Sequence, residues 1–131
     1  MPTPRPSLLD RRAKAFGRRG EALAAEHLER LGYTILARNH RTRWGEIDIV
    51  VTDPPRATIV FVEVKTRRAG SGPPFDNLHP AKRQQVRQMS AAWLNEVRDR
   101  PWSANLRFDA IGITLDDRGE LVALDHLEAA F

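Results

Sequence analysis

Thr58-Ile59-Val60-Phe61-Val62-Glu63-Val64-Lys65-Thr66 reads as a buried strand. β-Branched and aromatic residues dominate it, and a Pro-rich link and a Gly/Pro-rich segment bound it. Side chains alternate along a strand, so Ile59, Phe61, Glu63 and Lys65 point one way and Val60, Val62 and Val64 the other. An acid and an amine two residues apart therefore emerge together from an apolar wall. Burying a charge costs free energy unless it is paired or holds a metal. A lone Glu-x-Lys at a strand end is most simply an ion pair, but the preceding stretch weighs against that reading here.

Glu46-Ile47-Asp48-Ile49-Val50-Val51-Thr52 forms a second strand, joined to the first by Asp53-Pro54-Pro55-Arg56-Ala57. So short a link favours an antiparallel hairpin. With the turn centred between Pro55 and Arg56, Asp48 lies directly opposite Glu63; a slip of one residue moves them to opposite faces. In the first register Glu46, Asp48, Glu63 and Lys65 share one patch. Like charges facing each other across a sheet are destabilising. Three carboxylates gathered there are better explained by a bound cation than by folding.

The remaining composition narrows the class. A chain of 131 residues suits one domain with a real core, and 41% hydrophobic with 29% charged residues is ordinary for a globular protein. A net charge of +4 and a pI near 10.3 favour an anionic partner, although charge speaks to association and not to fold. The absence of cysteine excludes disulfides and thiolate zinc sites. Residues 1–12 lack the apolar stretch of a secretory signal, and no apolar run approaches a membrane span. The expectation is a cytoplasmic protein with a disordered N-terminal extension over 1–12 and a single domain over 13–131.

Ahead of the hairpin, a helix is expected from about Leu8 or Arg11 to Leu31, stopped by Gly32. Its apolar stripe is Ala13, Phe16, Leu23, Ala24, Leu28 and Leu31, with Gly20 allowing close approach to the sheet. Glu21, at the stripe's edge, is placed to look along the helix–sheet seam. For His27, in the middle of the stripe, a hydrogen-bonded core role is favoured over that of a ligand. Tyr33 to Asn39 reads as an edge strand, with Tyr33, Ile35 and Ala37 on one face. His40 to Gly45 reads as a basic loop in which Arg41, Arg43 and Trp44 either straddle phosphates and stack a base or sugar, or form a solvated charge run with Trp44 capping the core.

After Lys65 come Arg67 and a Gly/Ser/Pro-rich loop over 69–79, suited to closing on a ligand. Pro80 opens a second helix to about Arg98, buried through Val86, Met89, Trp93 and Val97. Lys82, Arg83 and Arg87 in its first turns are unfavourable for the helix dipole, so a compensating contact such as phosphate is expected. Leu106 to Leu115 and Glu120 to Leu124 complete the strands, and Asp109 is expected to pair locally with Arg107. The order αβββαββ implies an α/β sandwich with a mixed central sheet between helices. Oxygen ligands without cysteine suit Mg²⁺ or Mn²⁺. Beside an amine and a basic rim, such a cation has the parts needed for phosphodiester hydrolysis, with Asp48, Glu63 and Glu21 holding the metal and Lys65 orienting water or stabilising developing charge.

Asp48, then Glu63-Val64-Lys65, preceded by the helical Glu21, resembles the PD-(D/E)xK nuclease pattern in the arrangement of archaeal Holliday junction resolvases, with Ile47 where the pattern has proline. Gly20-Glu21, Gly45-Glu46-Ile47-Asp48-Ile49-Val50, Phe61-Val62-Glu63-Val64-Lys65-Thr66-Arg67, Lys82 and Arg107-Phe108-Asp109 together resemble the YraN family of small bacterial proteins, from about Gly17 to Phe131. The resemblance implies the restriction-endonuclease-like three-layer sandwich and a metal-dependent endonuclease acting on DNA, branched or damaged DNA included. It implies Glu21, Asp48, Glu63 and Lys65 as catalytic residues. The proposed nucleic-acid contacts are Arg41, Arg43, Trp44, Arg67, Lys82 and Arg83. Resolvases act as dimers, so a homodimer is compatible with the resemblance. The alternative reading is a nucleic-acid-binding protein that uses the same fold without chemistry.

Overall fold

The computed structural model describes residues 4–53, 55, 58–72, 75 and 80–131, with the side chains of residues 80 and 81 excepted. Helix α1 (Leu8–Arg30) is followed by strands β1 (Thr34–Thr42), β2 (Gly45–Thr52) and β3 (Thr58–Arg68). Helix α2 (Pro80–Glu96) and strands β4 (Asn105–Leu115) and β5 (Leu121–Leu127) complete the chain. The sheet runs β1-β2-β3-β4-β5; every neighbouring pair is antiparallel except β3 and β4, which α2 connects in parallel. This is the expected αβββαββ order, and the layers form a three-layer α/β sandwich of helix, mixed sheet and helix.

Each face of the sheet has its own core. Ala24, Ala25 and Leu28 of α1 pack on Ile49, Val51, Val60, Val62, Ile111, Ile113 and Leu115. Val86, Met89 and Trp93 of α2 pack on Ile47, Val50, Ile59 and Phe61, with Trp93 edge-on to the Phe61 ring. Even and odd residues of β3 divide between the two clusters as alternation requires. The β2–β3 register pairs Ile49 with Val62, Val50 with Phe61 and Thr52 with Ile59, as expected, and the pairing ends one step short of Asp48 and Glu63.

Several boundaries differ from expectation. Ser7 accepts from the Asp10 N–H while the Asp10 carboxylate accepts from the Ser7 N–H, a capping box that starts α1 at Leu8. The helix thus takes the earlier of its two expected starts, and residues 8–12 are helical. Ala13 and Leu31 of the expected stripe are exposed. Strand β1 continues to Thr42, so the basic loop shrinks to the turn Arg43-Trp44, closed by Thr42 Oγ1, which donates to Gly45 O and accepts from Trp44 N–H. An irregularity between Ile35 and Ala37 moves Ala37 to the α2 side, apart from Tyr33 and Ile35. Strand β5 runs on to Leu127, after which Ala130 N–H donates to Phe108 O. Most of the 69–79 loop, read as closing on a ligand, lies outside the described residues. Among the described residues, no helix is long and apolar enough to cross a membrane.

Candidate metal centre

The centre forms where β2 and β3 part. Their ladder stops at Ile49–Val62, and beyond it Asp48 Oδ2 accepts the Val64 N–H at 2.8 Å, a side chain replacing the next backbone bond. Alternation along β2 also breaks there: Ile49 packs toward α1, whereas Ile47 packs toward α2. Glu46 and Asp48, flanking Ile47, thus join Glu21 of α1, and one carboxylate oxygen from each lies within 4.8 Å of the others.

Glu21 reaches this point because Gly20 lets α1 descend onto β3. A Cβ at Gly20 would stand 1.8 Å from Thr66 Oγ1, so only glycine fits. The entry to β2 is similarly tight: Gly45 has φ +137° and a Cβ there would meet Gln85 Nε2 at 2.9 Å.

Two residues that sequence reasoning missed hold the acids together. Arg18 Nη1 donates to Glu21 Oε2 at 2.9 Å and to Glu46 Oε1 at 3.3 Å. Asn39 Nδ2 donates to Glu21 Oε2 at 2.5 Å and to Glu46 Oε1 at 3.1 Å. Arg18 stands three residues before Glu21, a spacing that could have flagged it. Asn39 adopts the left-handed region, φ 51°, which asparagine tolerates better than other side chains. A strained residue with its amide between two carboxylates is a mark of function worth testing.

Burial pushes the Asp48 carboxyl up to about 7, and the charges of Glu63, Glu21 and Glu46 add to it, against the Val64 N–H bond, which pulls it down. The apolar side of this environment is a hollow of only about 10 Å³, lined in part by Ile47, Phe61, Val86 and Phe131.

Of the site residues expected from sequence, the structure brings together Glu21 and Asp48, joined by Glu46, while Glu63 lines the same small hollow as Asp48. Glu63 remains on the α2 side, where Lys82 Nζ meets its Oε1 at 2.9 Å. It is close enough to raise the Asp48 pKa but stands outside the three-acid group. The reason is local: β3 keeps strict alternation, while β2 breaks it. Lys82, expected on phosphate, is committed to Glu63. Lys65 lies half-buried on β3, level with Gly112 of β4. Arg67 donates to Ser71 O, and Arg83 is exposed on α2. Trp44 is 39% exposed with the Arg43 guanidinium 4.7 Å from its ring centroid, so it does not cap the core.

His27 has the hydrogen-bonded role expected of it, facing His126 across 3.1 Å. His126 Nε2 lies 2.8 Å from Asp109 Oδ2, and Arg107 grips both Asp109 oxygens and the Tyr33 hydroxyl. The Arg107–Asp109 pairing is the one expected. None of its members belongs to the three-acid group.

A three-layer α/β sandwich with carboxylates converging where its central strands part has the architecture of the nuclease-like class. The chain belongs to the uncharacterised protein family UPF0102, the YraN family, whose model matches residues 20–113. It is 42% identical over 119 residues to a UPF0102 protein of Nocardia farcinica and 44% identical over 119 residues to one of Geobacter metallireducens. Those alignments cover 90% of this chain and 90% and 93% of the relatives. A UPF0102 protein of Acidothermus cellulolyticus is 54% identical over 84 residues, 63% of this chain and 62% of that protein.

Proposed function

We propose that the protein is a divalent-metal-dependent endonuclease that hydrolyses phosphodiester bonds in DNA. The observation that carries this reading is the convergence of Glu21, Glu46 and Asp48, with Asp48 raised to about 7. Three hard oxygen donors and no thiolate fit Mg²⁺ or Mn²⁺. Glu21, Glu46 and Asp48 would hold the cation, and Glu63 adds a fourth charge from β3. The chemistry such a cation supplies when bound is polarisation of a phosphoryl oxygen and a lowered pKa for water.

The chain's own residues do the rest. Arg18 and Asn39 keep Glu21 and Glu46 side by side despite their repulsion. Lys82 offsets the charge of Glu63. Lys65 shares the Glu63 side of β3 by alternation and has no ion-pair partner among the described residues, which leaves its ammonium for a phosphate oxygen or an attacking water. Arg43 and Trp44 at the β1–β2 turn, with Arg41 beside them, supply an exposed rim for the backbone of the substrate.

Purified protein with Mg²⁺ or Mn²⁺ is expected to nick supercoiled plasmid or a synthetic four-way junction, and Asp48→Asn and Lys65→Ala to lose that activity by about 100-fold or more. Cleavage by neither substrate's assay, or unchanged cleavage by both variants, removes the proposal. The second reading, nucleic-acid binding without chemistry, draws on one observation: Arg18 and Lys82 already neutralise acids of the cluster. It expects salt-sensitive binding indifferent to divalent metal.

A further inference from the structure

The first half of α1 is strongly cationic. Residues 8–19 contain Arg11, Arg12, Lys14, Arg18 and Arg19 against a single acid, Asp10. Only Arg11 stands in the first turn, where positive charge opposes the helix dipole, and Asp10 offsets it there; the other four charges belong to the surfaces they line. Arg18 is absorbed by the acidic cluster; the others are not.

These charges border a groove of about 520 Å³ between α1, the end of β3 and the β4–β5 turn. Arg12, Phe16 and Arg19 line it from α1, Arg68 from the end of β3, and Asp117 and Arg118 from the β4–β5 turn. A further hollow of about 320 Å³ shares Arg12, Phe16 and Arg68 and continues along α1. Four guanidinium groups thus line one trough with one carboxylate among them. That carboxylate neutralises little: Asp117 is fully exposed and 3.9 Å from Arg68. Arg68 instead lies over the Phe16 ring, 5.1 Å from its centroid, which fixes its direction, and Arg19 donates to Gly119 O. Among the described residues, the guanidinium groups of Arg12 and Arg118 pair with no acid, although the Arg118 backbone N–H donates to Asp116 Oδ1. Like charges held this close favour an anionic occupant with repeated charges.

The groove is also the right distance from the acids. Arg12 precedes Glu21 by nine residues of helix, about 14 Å at 1.5 Å per residue. Arg68 follows Glu63 by five residues of strand, about 16 Å at 3.3 Å per residue. Phosphates along B-DNA advance 3.4 Å per base pair, so both paths correspond to about four to five base pairs.

We infer that this groove seats the sugar–phosphate backbone of a DNA duplex arm leading away from the acidic centre, about four to five base pairs from the scissile bond. The inference rests on the endonuclease reading for the identity of the polymer. Arg12 and Arg118 contact phosphate directly, Arg68 is positioned for it by Phe16, and the contacts are to the backbone and so independent of sequence.

The test uses the full chain and a fluorescein-labelled duplex of about 30 base pairs in EDTA, with affinity measured by anisotropy across a salt series. The comparison is wild type against Arg12→Ala/Arg118→Ala, both checked for an unchanged melting transition. Each lost phosphate contact removes about 0.9 from the slope of log K against log salt, so the double variant is expected to fall by about 1.8 and to bind tenfold or more weakly at moderate salt. An unchanged slope and affinity, or no binding by wild type, overturns the inference, as does binding to phosphatidylserine vesicles but not to the duplex. Nicking by wild type with Mn²⁺ alongside unchanged duplex binding by the double variant removes the groove and leaves the endonuclease reading. Groove-dependent binding with no nicking does the reverse.

Discussion

At Asp48 one oxygen closes a backbone bond that the β2–β3 ladder leaves open, while the carboxyl sits against an apolar wall among three other acids. Its proton is therefore held up to about 7, against an ordinary value of 3.8. Between those values the folded chain binds more protons than the unfolded one, so metal-free stability falls as pH rises through that window. At about 1.4 kcal/mol per unit the swing is a few kcal/mol. Urea unfolding in EDTA is expected to show wild type losing stability from about pH 4 to about pH 7, with Asp48→Asn flat by comparison. Equal slopes for the two proteins would contradict the role given to this carboxyl. Arg18 makes a separate case: its guanidinium occupies Glu21 and Glu46 and competes with any cation they hold. Arg18→Ala is accordingly expected to bind Mn²⁺ about three- to tenfold more tightly, since a nearby positive charge is removed; calorimetry reads this directly, and weaker binding would show that Arg18 positions the acids more than it competes.

At the scale of elements, the closeness of α1 and β3 is what delivers Glu21. Gly20→Ala places a methyl where Thr66 Oγ1 already stands, so α1 must lift or Thr66 must turn. Overpacking of this kind costs about 1–3 kcal/mol, and the melting transition should fall accordingly. Mn²⁺ affinity should fall with it, because Glu21 moves with the helix; a protein destabilised but binding metal normally would mean that Glu21 is dispensable. The same elements show what was legible in sequence. Val60, Val62 and Val64 against Ile59 and Phe61 give the faces of β3 by alternation alone, and the short link after Thr52 gives the hairpin and its register. The small, apolar spacing of α1 marks Gly20 as a contact point and Glu21 as its neighbour. Glu46 was visible as part of the patch but not as a partner of Glu21, because one broken alternation between Ile47 and Ile49 leaves no residue-type signature. Lys82 carries a helix-start charge that sequence reads as free, and only the packing of α2 on the sheet shows Glu63 beneath it. Arg43-Trp44 read as part of a longer loop because His40, Arg41 and Thr42 are polar on an edge strand, where hydrophobic patterning is weak.

Over the whole molecule, two polar assemblies sit on the sandwich and behave oppositely with pH. Asp109 is fully buried; burial alone would raise its pKa, but His126, Arg107 and the Ala129 N–H outweigh that and hold it below the ordinary range. Its contribution to stability is thus complete above the unfolded carboxylate value and is lost as pH falls through the lower folded value. The network links α1 through His27, the start of β1 through Tyr33, β4, β5 and the segment after it. Asp109→Ala takes from Arg107 the buried carboxylate it holds through two bonds, leaving it Tyr33 and the exposed Glu128, and should cost about 3 kcal/mol, read as an earlier urea midpoint, without altering Mn²⁺ binding in the fraction that stays folded. A change near zero would mean the network is incidental to the fold. The acidic centre, in contrast, loses stability as its proton leaves, and under the proposed function a bound cation would restore it. The most direct test of the account is calorimetric titration of Mn²⁺ into wild type and Asp48→Asn at neutral pH. It predicts saturable binding with proton release by wild type and none by the variant, whereas no binding by wild type, or equal binding by both, would contradict it.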